Sequence, residues 1–157
     1  ILFNGCTISL DGPEKPVDFL DLENFMGKWY VIAFTPTFVD EGAENGIETY
    51  QLREDGIIDI DYTFSIDGVF ETHRQTAHVQ PDQTKAKWRL NYNWLLSFDY
   101  YLIVELGAEY QYTVISVPDR SYVWVMARRN KMKELLLEEI LHALINFAVS
   151  NPSSSFG

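Results

Sequence analysis

The stretch from Ile47 to Phe64 limits the fold more than any other part of this chain. It reads as a strand (Ile47 to Arg53), a Glu54-Asp55-Gly56 turn and a second strand. Asp-Gly supplies the backbone of a tight hairpin, so the two strands must pair antiparallel. In the second strand Ile58, Ile60, Tyr62 and Phe64 share one face, and Asp59, Asp61 and Thr63 share the other. That alternation belongs to a sheet with one face in a core and one in water. The unit then recurs. Asp67-Gly68 turns the chain into a strand over 69–80, and Pro81-Asp82-Gln83 turns it into Lys87 to Trp94, where Trp88, Leu90, Tyr92 and Trp94 alternate with Arg89, Asn91 and Asn93. Tyr101 to Leu106, Tyr110 to Val117 and Tyr122 to Arg128 follow, separated by turns at 107–109 and at Pro118-Asp119-Arg120. Gly27-Lys28-Trp29-Tyr30-Val31-Ile32-Ala33-Phe34 stands ahead of them as the first strand, joined to the second by a long loop.

Eight antiparallel strands in continuous up-and-down order leave two open edges, and closure into a barrel removes both. After Arg129 the period changes to that of a helix. Asn130 is the expected N-cap, and Met132, Leu135, Leu136, Glu139, Ile140, Ala143, Leu144 and Phe147 form the expected apolar stripe. Such a helix covers an outer face of the sheet. Before Gly27, apolar residues at helical spacing over 17–26 predict one or two turns that plug one end. The expected fold class is all-β: an eight-stranded antiparallel up-and-down β-barrel with a C-terminal α-helix packed on the outside. Its expected divisions are a tether over 1–16, barrel and helix over 17–150, and a flexible tail over 151–157. Trp29, entering the first strand, needs a cover where the barrel closes, and a guanidinium from Arg128 laid on the indole supplies one.

A net charge of −11 repels phosphate backbones and anionic lipid surfaces, so nucleic acid is excluded as a partner. No apolar run approaches the roughly 20 residues of a membrane-spanning helix. The single cysteine, Cys6, can form no internal disulfide. Its setting, Ile1-Leu2-Phe3-Asn4-Gly5-Cys6, reads either as the end of a lipoprotein signal, with Cys6 as the lipidation site, or as an ordinary free thiol.

Three blocks carry a family resemblance: Gly27-x-Trp29-Tyr30 after a short plug, Tyr101-x-Ile103-Val104-x-Leu106 with Tyr110 beyond, and Pro118-Asp119-Arg120-x-Tyr122-x-Trp124 ending in Arg128. In order and spacing they resemble the conserved blocks of the lipocalins, and the last is similar to that of the branch holding the bacterial outer-membrane lipoprotein lipocalin and apolipoprotein D. The resemblance implies a small hydrophobic ligand inside the barrel, with Gly27, Trp29 and Arg128 closing one end. It also implies a place in the bacterial cell envelope, anchored to the outer membrane through Cys6 and facing the periplasm. Two departures stand out: Gly107 occupies the place of an expected aspartate, and a short ninth strand is not evident over 146–157.

Alternation assigns the expected lining strand by strand. Val31 and Ala33 come from the first strand, Tyr50 and Leu52 from the second, and Ile58, Ile60 and Tyr62 from the third. Ala77, Val79, Trp88, Leu90, Tyr92 and Trp124 follow from later strands. Leu102, Val104 and Leu106 are added because the opposite phase would turn Glu105 into an apolar space. Phe38, on the long first loop, is placed to fold over the mouth. Such a lining suits a fatty acid or lysophospholipid, with the alternative that the side chains themselves fill the barrel. No cofactor or metal is expected: His73 and His78 lie five apart and face opposite sides of a strand. Binding without catalysis is the expectation, and pairing with a second copy is left open. The alternative is an enzyme of isomerase or de-epoxidase type acting through His73, Gln75 or a pocket tyrosine.

Overall fold

The computed structural model describes residues 15–35, 41–91, 100–118 and 121–150, with backbone alone for 147–150. Eight strands run in sequence order around a closed antiparallel barrel. They are β1 (Gly27–Phe34), β2 (Glu44–Leu52), β3 (Ile57–Ile66), β4 (Val69–Val79), β5 (Lys87–Asn91), β6 (Tyr101–Leu106), β7 (Tyr112–Ser116) and β8 (Val123–Ala127). Because β1 pairs with β2 on one side and β8 on the other, neither terminal strand is left as an edge. A short helix, α1 (Leu22–Phe25), precedes the barrel, and a long one, α2 (Glu134–Ser150), follows it. This is the fold class expected from the strand count and the alternation.

The β2–β3 hairpin forms where the Asp-Gly turn demands it, with Gly56 at φ 81°, a left-handed conformation that glycine adopts without strain. The register Leu52↔Ile58, Tyr50↔Ile60 and Glu48↔Tyr62 then sets β2 and β3 face to face. At one end the chain folds under the barrel. Asp21 caps α1 by accepting from the Asn24 amide at 3.1 Å, and backbone bonds Val17 N to Ile103 O (2.9 Å) and Leu20 N to Thr84 O (2.7 Å) fasten the segment. Phe25, at 0% exposure, is thereby driven into the barrel floor.

Two bulges decide which side chains point inward. In β6 the register slips between Ile103 and Glu105, so Ile103 faces Ile115 while Glu105 faces Val114. Tyr101, Ile103 and Leu106 join the interior cluster, and Leu102 and Val104 pack on the outside with Val114, Val125 and Ile140. The expectation of Leu102 and Val104 as lining is therefore corrected: the extra residue lets Val104 and Glu105 both stay outside, while Leu106 keeps its expected inward place. In β1 a slip between Val31 and Ala33 leaves Val31 opposite Met126 and Ala33 opposite Val125. Ala33 consequently belongs to the outer layer, and Phe34 to the inner one.

The outer layer is where α2 lies. Ile140 is fully buried, with Met132, Leu136, Leu137 and Leu144 beside it against the barrel wall. The helix begins at Glu134, four residues after the expected cap at Asn130, and its first bond runs from Leu137 N to Lys133 O at 3.1 Å. The contact row is Leu136, Ile140 and Leu144 at i, i+4 spacing, while Leu135, counted in the expected stripe, is 69% exposed.

Candidate functional site: the barrel interior and its polar floor

At the closed end Arg128 lies over Trp29, its Cζ 3.8 Å from the ring centroid. Its guanidinium also donates to the carbonyls of Lys28 (2.9 Å), Asn24 (2.7 Å) and Phe25 (3.1 Å). One planar fork thus ties α1, the start of β1 and the end of β8 together. Gly27 sits directly beneath, where an added Cβ would lie 3.5 Å from the Arg128 Nη1. The neighbouring turn explains why glycine replaces the expected aspartate at 107: a Cβ there would meet the Tyr112 ring at 2.3 Å. Backbone bonds close this turn instead, Gly107 N to Tyr112 O (2.8 Å) and Arg128 N to Gln111 O (3.0 Å).

Above this seal the lower interior is solid. Phe25 packs its ring against Trp29, Tyr50 and Trp88 with centroids 5.0, 5.3 and 5.4 Å away. Ile58, Ile60, Ala77 and Trp88, all expected to line a cavity, are inside but at 0% exposure. Ile103, Ile115 and Met126, absent from the expected lining, are equally buried beside them. A side chain with no accessible surface has no water-sized space next to it, so the closed half holds no room for a ligand. Toward the mouth the packing loosens: Val31, Leu90, Gln75, His73 and Tyr122 keep partial exposure, and Trp124 keeps 8%. Leu52, Val79 and Leu106 pack half-buried against the interior cluster. Phe38, Tyr92 and Cys6 lie outside the described residues.

Between the two halves stands a carboxylate. Glu48 shares the inward face with its register partners Trp29 and Tyr62, and it is 4% exposed. The Tyr50 hydroxyl donates to Glu48 Oε2, the Tyr101 hydroxyl donates to the same oxygen at 3.1 Å, and the two hydroxyl oxygens touch. Phenolic donors offset the desolvation that would otherwise expel a carboxylate from such a site. In return, burial first, and then the charge of Glu48, push the Tyr50 hydroxyl well above its ordinary pKa, with Tyr101 adding to the shift. Counting back by two from Tyr50 places Glu48 inside, and this was the one signal in the sequence for it.

The remaining polar candidates separate. Tyr62 stacks near Phe64 (4.7 Å), and His73 packs against Phe64 (5.2 Å) while its Nε2 lies 3.3 Å from Glu71 Oε2. His78 projects from the opposite face of β4, opposite Ile57 and Arg89. Asp59 and Asp61 are on the wet side, with Arg53 3.8 Å from Asp59 and Arg74 3.5 Å from Asp61. Among the described residues no group of three or more His, Cys, Asp and Glu side chains is arranged to hold a metal ion. On the outer face Glu105 is half-buried, which raises its carboxyl pKa against an opposing hydrogen bond from Tyr112.

Comparison with known proteins places this architecture. The chain is 26% identical over 141 residues to the outer membrane lipoprotein Blc of Escherichia coli K12, covering 85% of this chain and 79% of that protein. It is 28% identical over 137 residues to temperature-induced lipocalin-1 of Arabidopsis thaliana, covering 80% and 72%. Its fold is similar to that of insecticyanin from the tobacco hornworm Manduca sexta, with a TM-score of 0.65 at 19% identity over 87% of this chain and 78% of that one. The lipocalin-like domain family matches residues 20–146, most of the chain, and this protein belongs to that family.

Proposed function

We propose that the chain binds an elongated hydrophobic molecule, of the acyl-chain kind found in fatty acids and lysophospholipids, in the open half of its barrel, and carries it without transforming it. The observation that carries this reading is the division of the interior. A sealed aromatic floor lies below, and apolar and aromatic side chains that keep partial exposure lie above. A chain buried only to the depth of Glu48 gains about 0.8 kcal/mol per methylene before ordering costs, so some eight methylenes give micromolar binding or weaker. Turnover in the same interior is the second reading, and the hydrogen-bonded Glu48, Tyr50 and Tyr101 are its supporting observation. Product analysis after incubation with the bound molecule separates the two.

Native mass spectrometry with saturated acyl chains of increasing length tests the binding site. Val31 points inward beside Gly46 and Tyr62, so Val31→Trp fills the upper space. Its expected effect is about a tenfold loss of affinity, equivalent to about 1.4 kcal/mol. Equal binding by wild type and Val31→Trp refutes the site. Localisation follows the bacterial relatives by proposal: Cys6 carries a lipid anchor to the outer membrane, as relatives described as outer membrane lipoproteins suggest. Membrane fractionation of wild type against Cys6→Ser decides it, and equal distributions count against an anchor.

A further inference from the structure

Among the polar groups that the interior presents around its midpoint are two acceptors, Glu48 and the Gln75 side-chain oxygen. Glu48 contributes a carboxylate at 4% exposure. On β4, Gln75 lies opposite Ile60, which lies opposite Tyr50, so Gln75 shares a cross-barrel row with the Glu48–Tyr50–Tyr101 group. Its side-chain oxygen is buried and has no hydrogen-bond partner among the described residues. Buried amide oxygens are nearly always matched, so a solitary one on the inward face calls for a donor from elsewhere. No lysine or arginine on the described strands faces inward to supply it. Lys28, Arg74, Lys87 and Arg89 belong to outward rows opposite Thr49, Asp61, Leu102 and His78.

We propose that the barrel selects apolar molecules whose inner end carries a hydrogen-bond donor, a hydroxyl or an ammonium, received by Glu48 and Gln75. This rests on the binding site set out above and adds the chemistry of the buried end. A fatty acid entering carboxylate first brings a second negative charge beside Glu48. Entering methyl first, it leaves the Gln75 oxygen without a donor. A donor-ended chain avoids both penalties, and an ammonium also pairs with the Glu48 charge.

The test holds the chain constant and varies the end. Dodecanol, dodecylamine, dodecanoate and dodecyltrimethylammonium are titrated against the intact protein near neutral pH and physiological salt, read by tryptophan fluorescence. Dodecanol and dodecylamine are expected to bind about tenfold or more tighter than dodecanoate, and dodecyltrimethylammonium, a cation without a donor, to lose most of that gain. Glu48→Gln is expected to shrink the preference for amine over carboxylate, and Gln75→Leu to weaken dodecanol selectively. Dodecanoate binding as tightly as dodecylamine overturns the inference. So does dodecyltrimethylammonium matching dodecylamine, which would mean simple attraction to an acidic surface. A folded Glu48→Gln with the wild-type order of affinities also overturns it, and if that variant does not fold, the wild-type series decides alone. Equal binding of all four leaves the carrier reading standing and removes this one, whereas no binding by any of them removes both.

Discussion

Removing the Arg128 side chain tests the closed end most directly. Arg128→Ala abolishes a stack of a half-buried guanidinium on an indole that is itself at 0% exposure, and such a partly desolvated pair is worth about 1–2 kcal/mol. It also strips donors from three carbonyls, those of Lys28, Asn24 and Phe25. These sites are exposed or partly buried, so water recovers much of the lost bonding, and the residual cost is about 1 kcal/mol in total. The sum is about 2–3 kcal/mol, which for a chain of this size lowers the melting temperature by about 4–12 °C. Differential scanning calorimetry of Arg128→Ala and Arg128→Lys reads the effect. Lysine keeps the charge but cannot lie flat while reaching three carbonyls, so it should recover less than half of the loss. A fall of under about 2 °C in the alanine variant, or a lysine variant equal to wild type, refutes the account of a planar clasp.

Two further expectations follow from the same region and from the polar floor. Gly107→Ala drives a Cβ to 2.3 Å from Tyr112 and should cost about 1–3 kcal/mol by overpacking, seen as a lowered urea midpoint; an unchanged midpoint means the ring has somewhere to go. Tyr50 holds its proton in the folded protein above the ordinary value of 10.0 at which it ionises when unfolded. Its contribution is therefore intact below that pH and lost as pH rises past it. Urea midpoints across that range should fall for wild type and less steeply for Tyr50→Phe, and parallel slopes would exclude Tyr50 as a cause.

The strand order and the barrel were legible because they depend on turns and on alternation, which are local, and the meeting of Trp29 with Arg128 because an aromatic entering the first strand needs a cover where the barrel closes. What was misplaced depends on phase. Leu102, Val104 and Ala33 were assigned inward by strict alternation, and one inserted residue in each strand reversed the count beyond it. Nothing in Ile103-Val104-Glu105 announces a bulge, since the β-branched neighbours Ile103 and Val104 read the same in either phase. The assumption that carboxylates stay outside happened to hold for Glu105, although for a different reason from the one that selected its neighbours. It hid Glu48, whose burial is made tolerable by two tyrosines, one of them 53 residues away in sequence. The solid lower half was invisible because the list of inward residues says nothing of how tightly they interlock.

The wall of this barrel is of unequal thickness. Under α2, strands β6, β7, β8 and the end of β1 are lined on both sides, and Val114, Ile115, Val125 and Met126 are at 0–1% exposure. Across the bore, β4 offers its outer face and its mouth end to water, with Phe70 72% exposed at the rim. Strain therefore has a preferred place to go. The double-lined staves can part only when the helix lifts, while the seam at the border of the thin side, between β5 and β6, is held among the described residues by two register pairs against ten between β3 and β4 and opens for less. A container made this way need not unfold to be emptied: its thick side keeps the shape while its thin side gives.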